Sequence, residues 1–258
     1  MSAKYRVNLT RQSSSTVQSQ PPINPMRNLE MFSPLQPGKY TWAEKSESSS
    51  IWQRPTLAGE NQWLHRLEEY HQMFLSGSIT LKTPTGLPAF EAAATDAWVR
   101  LLYSIPDIAV SGRCQDDGQG YLQFHVPRDY ADANEWARRT LVLKYGPSGL
   151  GFHELREKVL SCRGNQLSDR VFVLLHCVAD DENGETKCVD FILNVGHQIT
   201  DGIGIRILLD KYFHLLAETL GSPRSRRDAI KWQDCMKNLS RPWISLGEDY
   251  QSTLSGPF

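Results

Sequence analysis

Two apolar runs joined by an Asn-Gly pair constrain the fold of this chain more than any other feature. The runs are RVFVLLHCVADD (170–181) and ETKCVDFILNV (185–195), with Asn183 and Gly184 between them. Asn-Gly between apolar runs is the strongest short-range sign of a β-hairpin, because both turn residues must accept positive φ. The sequence therefore predicts two long antiparallel strands in this region.

The length of the hairpin loop fixes which residues face each other. A two-residue loop pairs Glu182 with Glu185 and places Cys177 opposite Asp190. Cys188 is then not the partner of Cys177, so we do not expect a disulfide across the hairpin.

The second strand is predicted to have one apolar and one mixed face, because side chains alternate along a strand. The apolar face consists of Val189, Phe191, Leu193 and Val195. The other face consists of Cys188, Asp190, Ile192 and Asn194. One further step of the same geometry places His197 on the apolar side.

A long helix is predicted from about 202 to 220. Its polar residues form one line at a spacing of four: Arg206, Asp210, His214 and Glu218. Apolar residues fill the other positions: Ile203, Ile207, Leu208, Tyr212, Leu215, Leu216 and Leu220. This pattern indicates a helix that is buried on most sides and has one solvent-exposed stripe.

The remaining elements are predicted from periodicity and turn signals. Helices are expected at 60–75, 87–106, 129–146, 152–160 and 226–243, a short strand at 76–83, and a hairpin within 107–127. Residues 1–38 are polar and rich in Ser, Gln, Pro and Asn, and we expect a flexible arm there. We place the folded domain at 39–258. Near its start, YTW (40–42) and IWQRP (51–55) are candidates for docking onto the rest of the domain.

Charge and cysteine usage exclude several classes of function. The net charge is −1, so no basic field attracts nucleic acid or an anionic membrane. No stretch has the apolar core of a signal peptide or the length of a membrane span. Five scattered cysteines without a CxxC pair argue against a disulfide framework or a zinc site, and no HxxH or HExxH set is present. We expect a cytoplasmic protein without a metal.

The segment GHQITDGIG (196–204) has two interpretations. In the structural one, Thr200 or Asp201 caps the helix, the glycines at 202 and 204 allow close packing, and His197 is a satisfied turn residue. In the functional one, His197 is a base held at the end of a buried strand, and Asp201 forms an ion pair with an arginine. Gly202 then leaves the approach to the base open. The spacing alone leaves both interpretations open.

NVGHQITDGIGIRILL (194–209) resembles the HHxxxDG or HxxxDG signature of the chloramphenicol-acetyltransferase-like superfamily. This superfamily includes the BAHD acyltransferases, the condensation domains of peptide synthetases and the fungal trichothecene O-acetyltransferases. WQRPTLAGENQWLHRLEEYHQMF (52–74) and AWVRLLYSIPDIAV (97–110) look most similar to the fungal 15-O-acetyltransferase branch. The resemblance spans roughly residues 40–250. It implies an α/β fold, a two-layer α/β sandwich with a mixed sheet.

The resemblance also implies roles for the motif residues. His197 would be the general base that takes a proton from a hydroxyl or amine of a small secondary-metabolite acceptor, which then attacks an acyl-CoA thioester. Asp201 would be structural, in an ion pair whose arginine the sequence does not locate; Arg206, Arg100 and Arg113 are weak candidates. Acyl-CoA would be a co-substrate, with no cofactor bound permanently. Gly196 replaces the first histidine of HHxxxDG.

The resemblance is to the N-terminal half of a two-domain enzyme. The site would then be completed by a missing C-terminal half or by a homo-oligomer. Two alternatives stay open at this point. The first is a CoA-independent acid/base catalyst, such as a cyclase, dehydratase or isomerase, on a repurposed half-domain. The second is a truncated homologue without catalysis.

Overall fold

The structure is a computed structural model that describes residues 37–46, 50–57, 60–61, 72–115, 118–163, 171–196, 199–221 and 230–241. Within them the strands are β1 (Ala43–Glu44), β2 (Ile51–Pro55), β3 (Gln72–Gly86), β4 (Ser111–Cys114), β5 (Gly120–His125), β6 (Leu141–Gly146), β7 (Val171–Val178) and β8 (Glu185–Gly196). The α-helices are α1 (Leu87–Ser104), α2 (Tyr130–Thr140), α3 (Phe152–Arg163) and α4 (Gly204–Gly221). Short 3-10 helices cover Pro37–Tyr40, Pro106–Ala109 and Trp232–Asn238. Most of the predicted arm, residues 1–36, lies outside the described residues.

The main sheet has the strand order β3-β8-β7-β6. β3, β8 and β7 are antiparallel neighbours, whereas β6 runs parallel to β7. The sheet is therefore mixed, as predicted, and the hairpin predicted from the Asn-Gly pair forms its centre. Both central strands are almost continuously buried, which is typical of strands that are covered on both faces.

Helices cover the two faces of this sheet unequally. The apolar face predicted for β8 faces the large core, which also contains buried residues of α1, α2 and α4. A smaller cluster on the other face joins Leu155 and Val159 of α3 to Phe172, Leu174 and Ile192 of the sheet. The predicted α/β sandwich is confirmed, and α3 adds partial cover on the second face.

Three aromatic side chains hold α1, α2 and α4 together. The rings of Trp98 and Trp136 stack with their centroids 5.5 Å apart, and Tyr212 meets Trp98 edge-on at 5.3 Å. The Trp98 indole N–H donates to the Thr140 hydroxyl at 2.9 Å, so the polar atom of this buried ring is satisfied. This contact fixes the end of α2 against the middle of α1.

Helix α1 begins at the predicted residue and ends just before Pro106, close to its predicted end. Pro88 lies in its first turn, where the missing N–H costs nothing. The helix ends at Ser104 because Ile105, which precedes Pro106, adopts an extended φ of −139°.

A second, antiparallel sheet has the order β1-β2-β5-β4. It contains the predicted hairpin of β4 and β5, and β2 is the IWQRP segment that we expected to dock. The YTW segment docks as well, because the Trp42 indole N–H donates to the carbonyl of Ser240 at 3.0 Å. The sequence did not predict that these pieces form one sheet.

The helix predicted at 60–75 is wrong at its C-terminal end. Residues 72–75 belong to β3, which is much longer than the short strand expected at 76–83. Met73 and Leu75 pair with Val195 and Leu193, so the partner strand decides their conformation and the helical spacing does not. Residues 62–71 of that prediction lie outside the described residues.

The helix predicted at 129–146 is also too long. The helix ends at Thr140, and Leu141 is already extended, with φ −116° and ψ 118°. Residues 141–146 form β6, which pairs in parallel with β7. In β6 the apolar residues of LVLKYG pair with the buried strand β7, and a helix would not provide this pairing.

The hairpin register differs by one residue from the prediction. His176 lies opposite Asp190, and Cys177 lies opposite Val189. The turn is built by Asp181, whose side chain accepts the N–H of Asn183 at 2.8 Å and whose carbonyl accepts that of Gly184 at 3.2 Å. This turn is longer than the expected two-residue loop. Cys177 and Cys188 are free thiols, as predicted.

Helix α4 differs from its prediction at two positions. The polar line at 206, 210, 214 and 218 is exposed, as expected. Ile203 and Ile207, which we expected to be buried, are 69% and 60% exposed. Ile203 directly precedes α4, and Ile207 lies in its first turn. Both are on the side that faces away from the main sheet.

The last predicted helix, at 226–243, is only partly described. Residues 232–238 form a 3-10 helix, and 222–229 lie outside the described residues. Among the described helices, none is both long and apolar enough to cross a membrane.

Candidate functional site

The HxxxDG segment connects the end of β8 to the start of α4. β8 ends at Gly196, which pairs with Gln72 at the start of β3. The N–H of Ile199 donates to the carbonyl of Gly196 at 2.9 Å and begins the turn toward α4. His197 and Gln198 lie outside the described residues, so the role of His197 stays a prediction.

Asp201 caps helix α4. Its Oδ1 accepts the N–H groups of Ile203 at 2.9 Å and of Gly204 at 2.8 Å. Its backbone carbonyl accepts the N–H of Ile205 at 3.0 Å. The carboxylate therefore satisfies two donors that a helix N-terminus leaves open, and its negative charge suits the helix dipole. This confirms the predicted cap at Asp201; the predicted ion pair with an arginine stays a prediction.

The two glycines of the motif have different surroundings. A Cβ on Gly204 would overlap the Thr200 Oγ1, so any larger residue requires the Thr200 side chain to move, in line with the close packing predicted there. A Cβ on Gly202 would meet no atom within 4 Å. Among the described residues, the close packing expected at Gly202 is therefore absent.

The arginines considered for Asp201 are distributed over the molecule. Arg100 forms an ion pair with Glu218 at 2.8 Å, near the C-terminal end of α4 and far from the cap. Arg113 is exposed on β4 in the second sheet, and Arg206 is exposed on the polar stripe of α4.

A buried polar row crosses the main sheet on the face covered by α3. Asp190 accepts the Ser78 hydroxyl and, at 2.7 Å, the N–H of Leu150. His176, opposite Asp190, has its Nε2 3.1 Å from the carbonyl of Ser148. Because a carbonyl only accepts, Nε2 carries the proton. Burial lowers the pKa of His176, with Lys158 as a smaller cause in the same direction. These contacts give His176 a structural role in joining β7 to the loop before α3.

Asn194, on the same face of β8, was not predicted as a functional residue. Its side chain is fully buried at 0% exposure, and neither Nδ2 nor Oδ1 has a hydrogen-bond partner in the described structure. An amide inside an apolar run, directly before the motif, was the available sequence signal.

The described residues contain no group of three or more His, Cys, Asp or Glu side chains that could hold a metal ion. Burial raises the pKa of the Cys177 thiol to about 12, so this cysteine is a poor nucleophile.

The fold defines a chloramphenicol-acetyltransferase-like protein. The solved structure of TRI3 trichothecene 15-O-acetyltransferase from Fusarium sporotrichioides superposes with a TM-score of 0.66 at 20% identity, over 83% of this chain and 44% of that one. A family model described as "15-O-acetyltransferase Tri3" matches residues 74–258. The chain belongs to this family.

A curated relative agrees with this assignment. Trichothecene 15-O-acetyltransferase TRI3 of Fusarium sporotrichioides is 26% identical over 244 residues, which are 87% of this chain and 46% of the relative. The chain thus spans about half the length of the curated relative that it matches. The family resemblance inferred from the motif is confirmed.

Proposed function

We propose that the chain transfers an acyl group from acyl-CoA to a hydroxyl or amine of a small secondary-metabolite acceptor, with His197 as the general base. The arrangement of β8, the capped turn and α4 carries this proposal, because it presents residue 197 between the end of a buried strand and the start of a helix. Family membership supports acyl transfer as the reaction. The relative is named a 15-O-acetyltransferase, which favours a hydroxyl acceptor and an acetyl donor.

The proposed reaction needs one base and no covalent intermediate on the protein. His197 takes the proton of the acceptor hydroxyl, and the oxygen attacks the thioester carbonyl. The tetrahedral oxyanion collapses and breaks the carbon–sulfur bond, and the CoA thiolate leaves with the proton from His197. The products are the ester and free CoA thiol.

Asp201 and Gly202 act indirectly in this proposal. Asp201 fixes the turn through the two N–H groups that it accepts, and it does not touch the substrates. A Cβ on Gly202 would meet no described atom within 4 Å, and in this proposal the missing side chain keeps the approach to His197 open. Neither residue takes or gives a proton.

Further parts of the proposal concern the whole protein. A C-terminal half or a second copy would supply the CoA contacts and the oxyanion donors. Within this chain, residues 39–258 would form the domain and residues 1–38 a flexible arm. A cytoplasmic location stays a prediction.

The test follows thiol release from acetyl-CoA in the presence of a trichothecene alcohol. We expect release by the unsubstituted chain, and a loss of at least about a hundredfold in His197→Ala, because general-base catalysis contributes on that order. His214→Ala is the matched control: His214 is exposed on α4 and contacts its own helix at the carbonyl of Asp210. Release that is equal in His197→Ala and His214→Ala would exclude the base role. Conversion of the alcohol without thiol release would favour CoA-independent chemistry.

A further inference from the structure

The exposed face of helix α4 carries a line of six residues. Successive members alternate between steps of four and three residues, the spacing that keeps side chains on one side of a helix. The Ile203 carbonyl accepts the N–H of Ile207 at 3.1 Å, so helical geometry already holds at Ile203. All members are exposed. We call this line the α4 stripe, and it consists of Ile203, Ile207, Asp210, His214, Ala217 and Gly221.

The α4 stripe has large apolar residues at one end and small residues at the other. Ile203 and Ile207 are 69% and 60% exposed. Ala217 and Gly221 are exposed at the C-terminal end of α4, and a Cβ on Gly221 would meet no described atom within 4 Å. An exposed isoleucine adds little to the folding of its own chain, because its apolar area stays in contact with water. The two ends therefore complement each other in shape, with protruding side chains at one and a recess at the other.

The centre of the α4 stripe is polar. The Asp210 carboxylate lies 3.4 Å from Nδ1 of His214 in the same helix, and Lys211 is exposed beside it. Nδ1 of His214 is also 2.9 Å from the Asp210 carbonyl, and because a carbonyl only accepts, Nδ1 carries the proton. The lone pair of Nε2 is then available for a donor from outside the helix, such as an ammonium group.

The residues of the α4 stripe are arranged symmetrically about position 212. Counting outward from this position in both directions relates each large or acidic residue to a complementary one. The pairs are Ile203 with Gly221, Ile207 with Ala217, and Asp210 with His214. Two antiparallel copies of α4, related by a two-fold axis at position 212, place the members of each pair opposite each other. Such a contact uses the same surface on both copies and closes on itself.

A parallel pair of α4 helices would not use the stripe in this way. In register, it would bring like residues together, so the two Asp210 carboxylates would repel each other. Ala217 and Gly221 would face their own copies, which leaves unfilled space and forfeits dispersion contacts. The antiparallel alignment instead places an isoleucine over each small residue and a histidine over each aspartate.

We propose that a second copy of this chain docks on the α4 stripe, with the two α4 helices antiparallel about a two-fold axis at position 212. The isoleucines of each copy pack on Ala217 and Gly221 of the other. At the centre, the Asp210 carboxylates and Lys211 ammonium groups of both copies balance in charge. The stripe is about 27 Å long. A single helix pair of this length is at the small end of specific interfaces, so dimerisation depends on concentration. This inference does not rest on the proposed function.

Cysteine cross-linking tests the alignment. Ile207→Cys and Ala217→Cys are prepared separately in the full chain, and each is oxidised alone and as an equal mixture. In the antiparallel pair, residue 207 lies opposite residue 217 but about 15 Å along the helix from its own copy, which is too far for a disulfide. The mixture should therefore give at least about fivefold more disulfide-linked dimer than either protein alone. The unsubstituted chain, in which Cys114 is exposed, gives the background.

Sedimentation velocity over a concentration series tests the packing at the small residues. Ala217→Glu should raise the dissociation constant of the dimer by about tenfold or more, because the added side chain prevents Ile207 from packing there. Ala92→Glu is the matched control, since Ala92 is an exposed alanine of helix α1. An equal effect of both substitutions would overturn the proposal. So would an unsubstituted chain that stays monomeric over the whole series, or single-cysteine proteins that cross-link as well alone as in the mixture. Acyl transfer is not measured in either experiment, so a failure here leaves the proposed function untouched.

Discussion

Two polar side chains near the motif differ in how their hydrogen bonds are satisfied. Asp201 finds its donors two and three residues ahead in the chain, so the sequence alone predicts its cap. The environment of Asn194 is set by β3 and β7, which are distant in sequence. Its burial, and its lack of partners in the described part of the chain, therefore could not be predicted from the residues around it.

The cap at Asp201 can be tested separately from any catalytic role. Asp201→Ala removes the acceptor of two N–H groups and should lower the free energy of unfolding by about 1 kcal/mol. Asp201→Asn keeps an acceptor oxygen and should remain close to the unsubstituted chain in urea unfolding. An equal loss in both variants would show that the charge stabilises the turn and that the acceptor oxygen does not.

His176 makes stability depend on pH through one buried ring nitrogen. Its Nε2–H donates to the Ser148 carbonyl, so an added proton must go to Nδ1, which is buried without a partner among the described residues. The charged groups around the ring are Asp190 on β8 and Lys158 and Glu154 on α3. Burial outweighs the two carboxylates and holds the pKa below its ordinary value of 6.5.

A lowered histidine pKa destabilises the fold in acid. Above pH 6.5 the ring is neutral in both states and nothing is lost. Below that value the unfolded chain binds the proton first, and stability falls by up to about 1.4 kcal/mol per pH unit. The difference in unfolding free energy between pH 7.5 and pH 5.5 should therefore be smaller in His176→Gln. Equal pH dependence in both proteins would contradict this assignment.

At the scale of secondary structure, local signals predicted the helices better than the strands. α1 has a proline in its first turn, α4 has the Asp201 cap, and both have helical periodicity within their own sequences, so both were predicted. β6 and the first residues of β3 carry a helical spacing, but pairing with β7 and β8 determines their conformation. Such pairing is tertiary and overrides local propensity.

The candidate site also has one part that local sequence signals predict and one part that they do not. The strand, turn and helix that frame the motif were predicted, because hairpin, cap and helix signals are local. The exact register was not, because Asp181 bonds to Asn183 and Gly184 and makes the turn longer than the two-residue loop that was expected. This one-residue difference leaves the two faces of β8 as predicted, since both faces follow from alternation alone.

At the scale of the whole molecule, Ile203 and Ile207 leave apolar surface beside the motif. They are four residues apart, on one side of the helix start, and both are more than half exposed. Exposed apolar surface of this kind promotes association. We therefore predict that the chain associates through this surface, and that Ile203→Gln with Ile207→Gln lowers the sedimentation coefficient, with unfolding within about 0.5 kcal/mol of the unsubstituted chain.

Leu160→Gln is the matched control for this experiment. Leu160 is 44% exposed on α3, which covers the opposite face of the sheet. Sedimentation that changes equally in Leu160→Gln and in the double variant would mean that association does not involve the start of α4.

The pairing of β3 with β8 has a consequence for synthesis on the ribosome. Ser78 and Asp190 are bonded across these strands but lie 112 residues apart in the chain. At typical translation rates, β3 leaves the ribosome roughly 6 to 20 s before its partner is made. Strands β6 and β7 are completed before β8, yet β3 joins the sheet only through β8. The nascent chain therefore carries an unpaired fifteen-residue strand while a further 112 residues are made, and this strand edge is open to aggregation until β8 emerges.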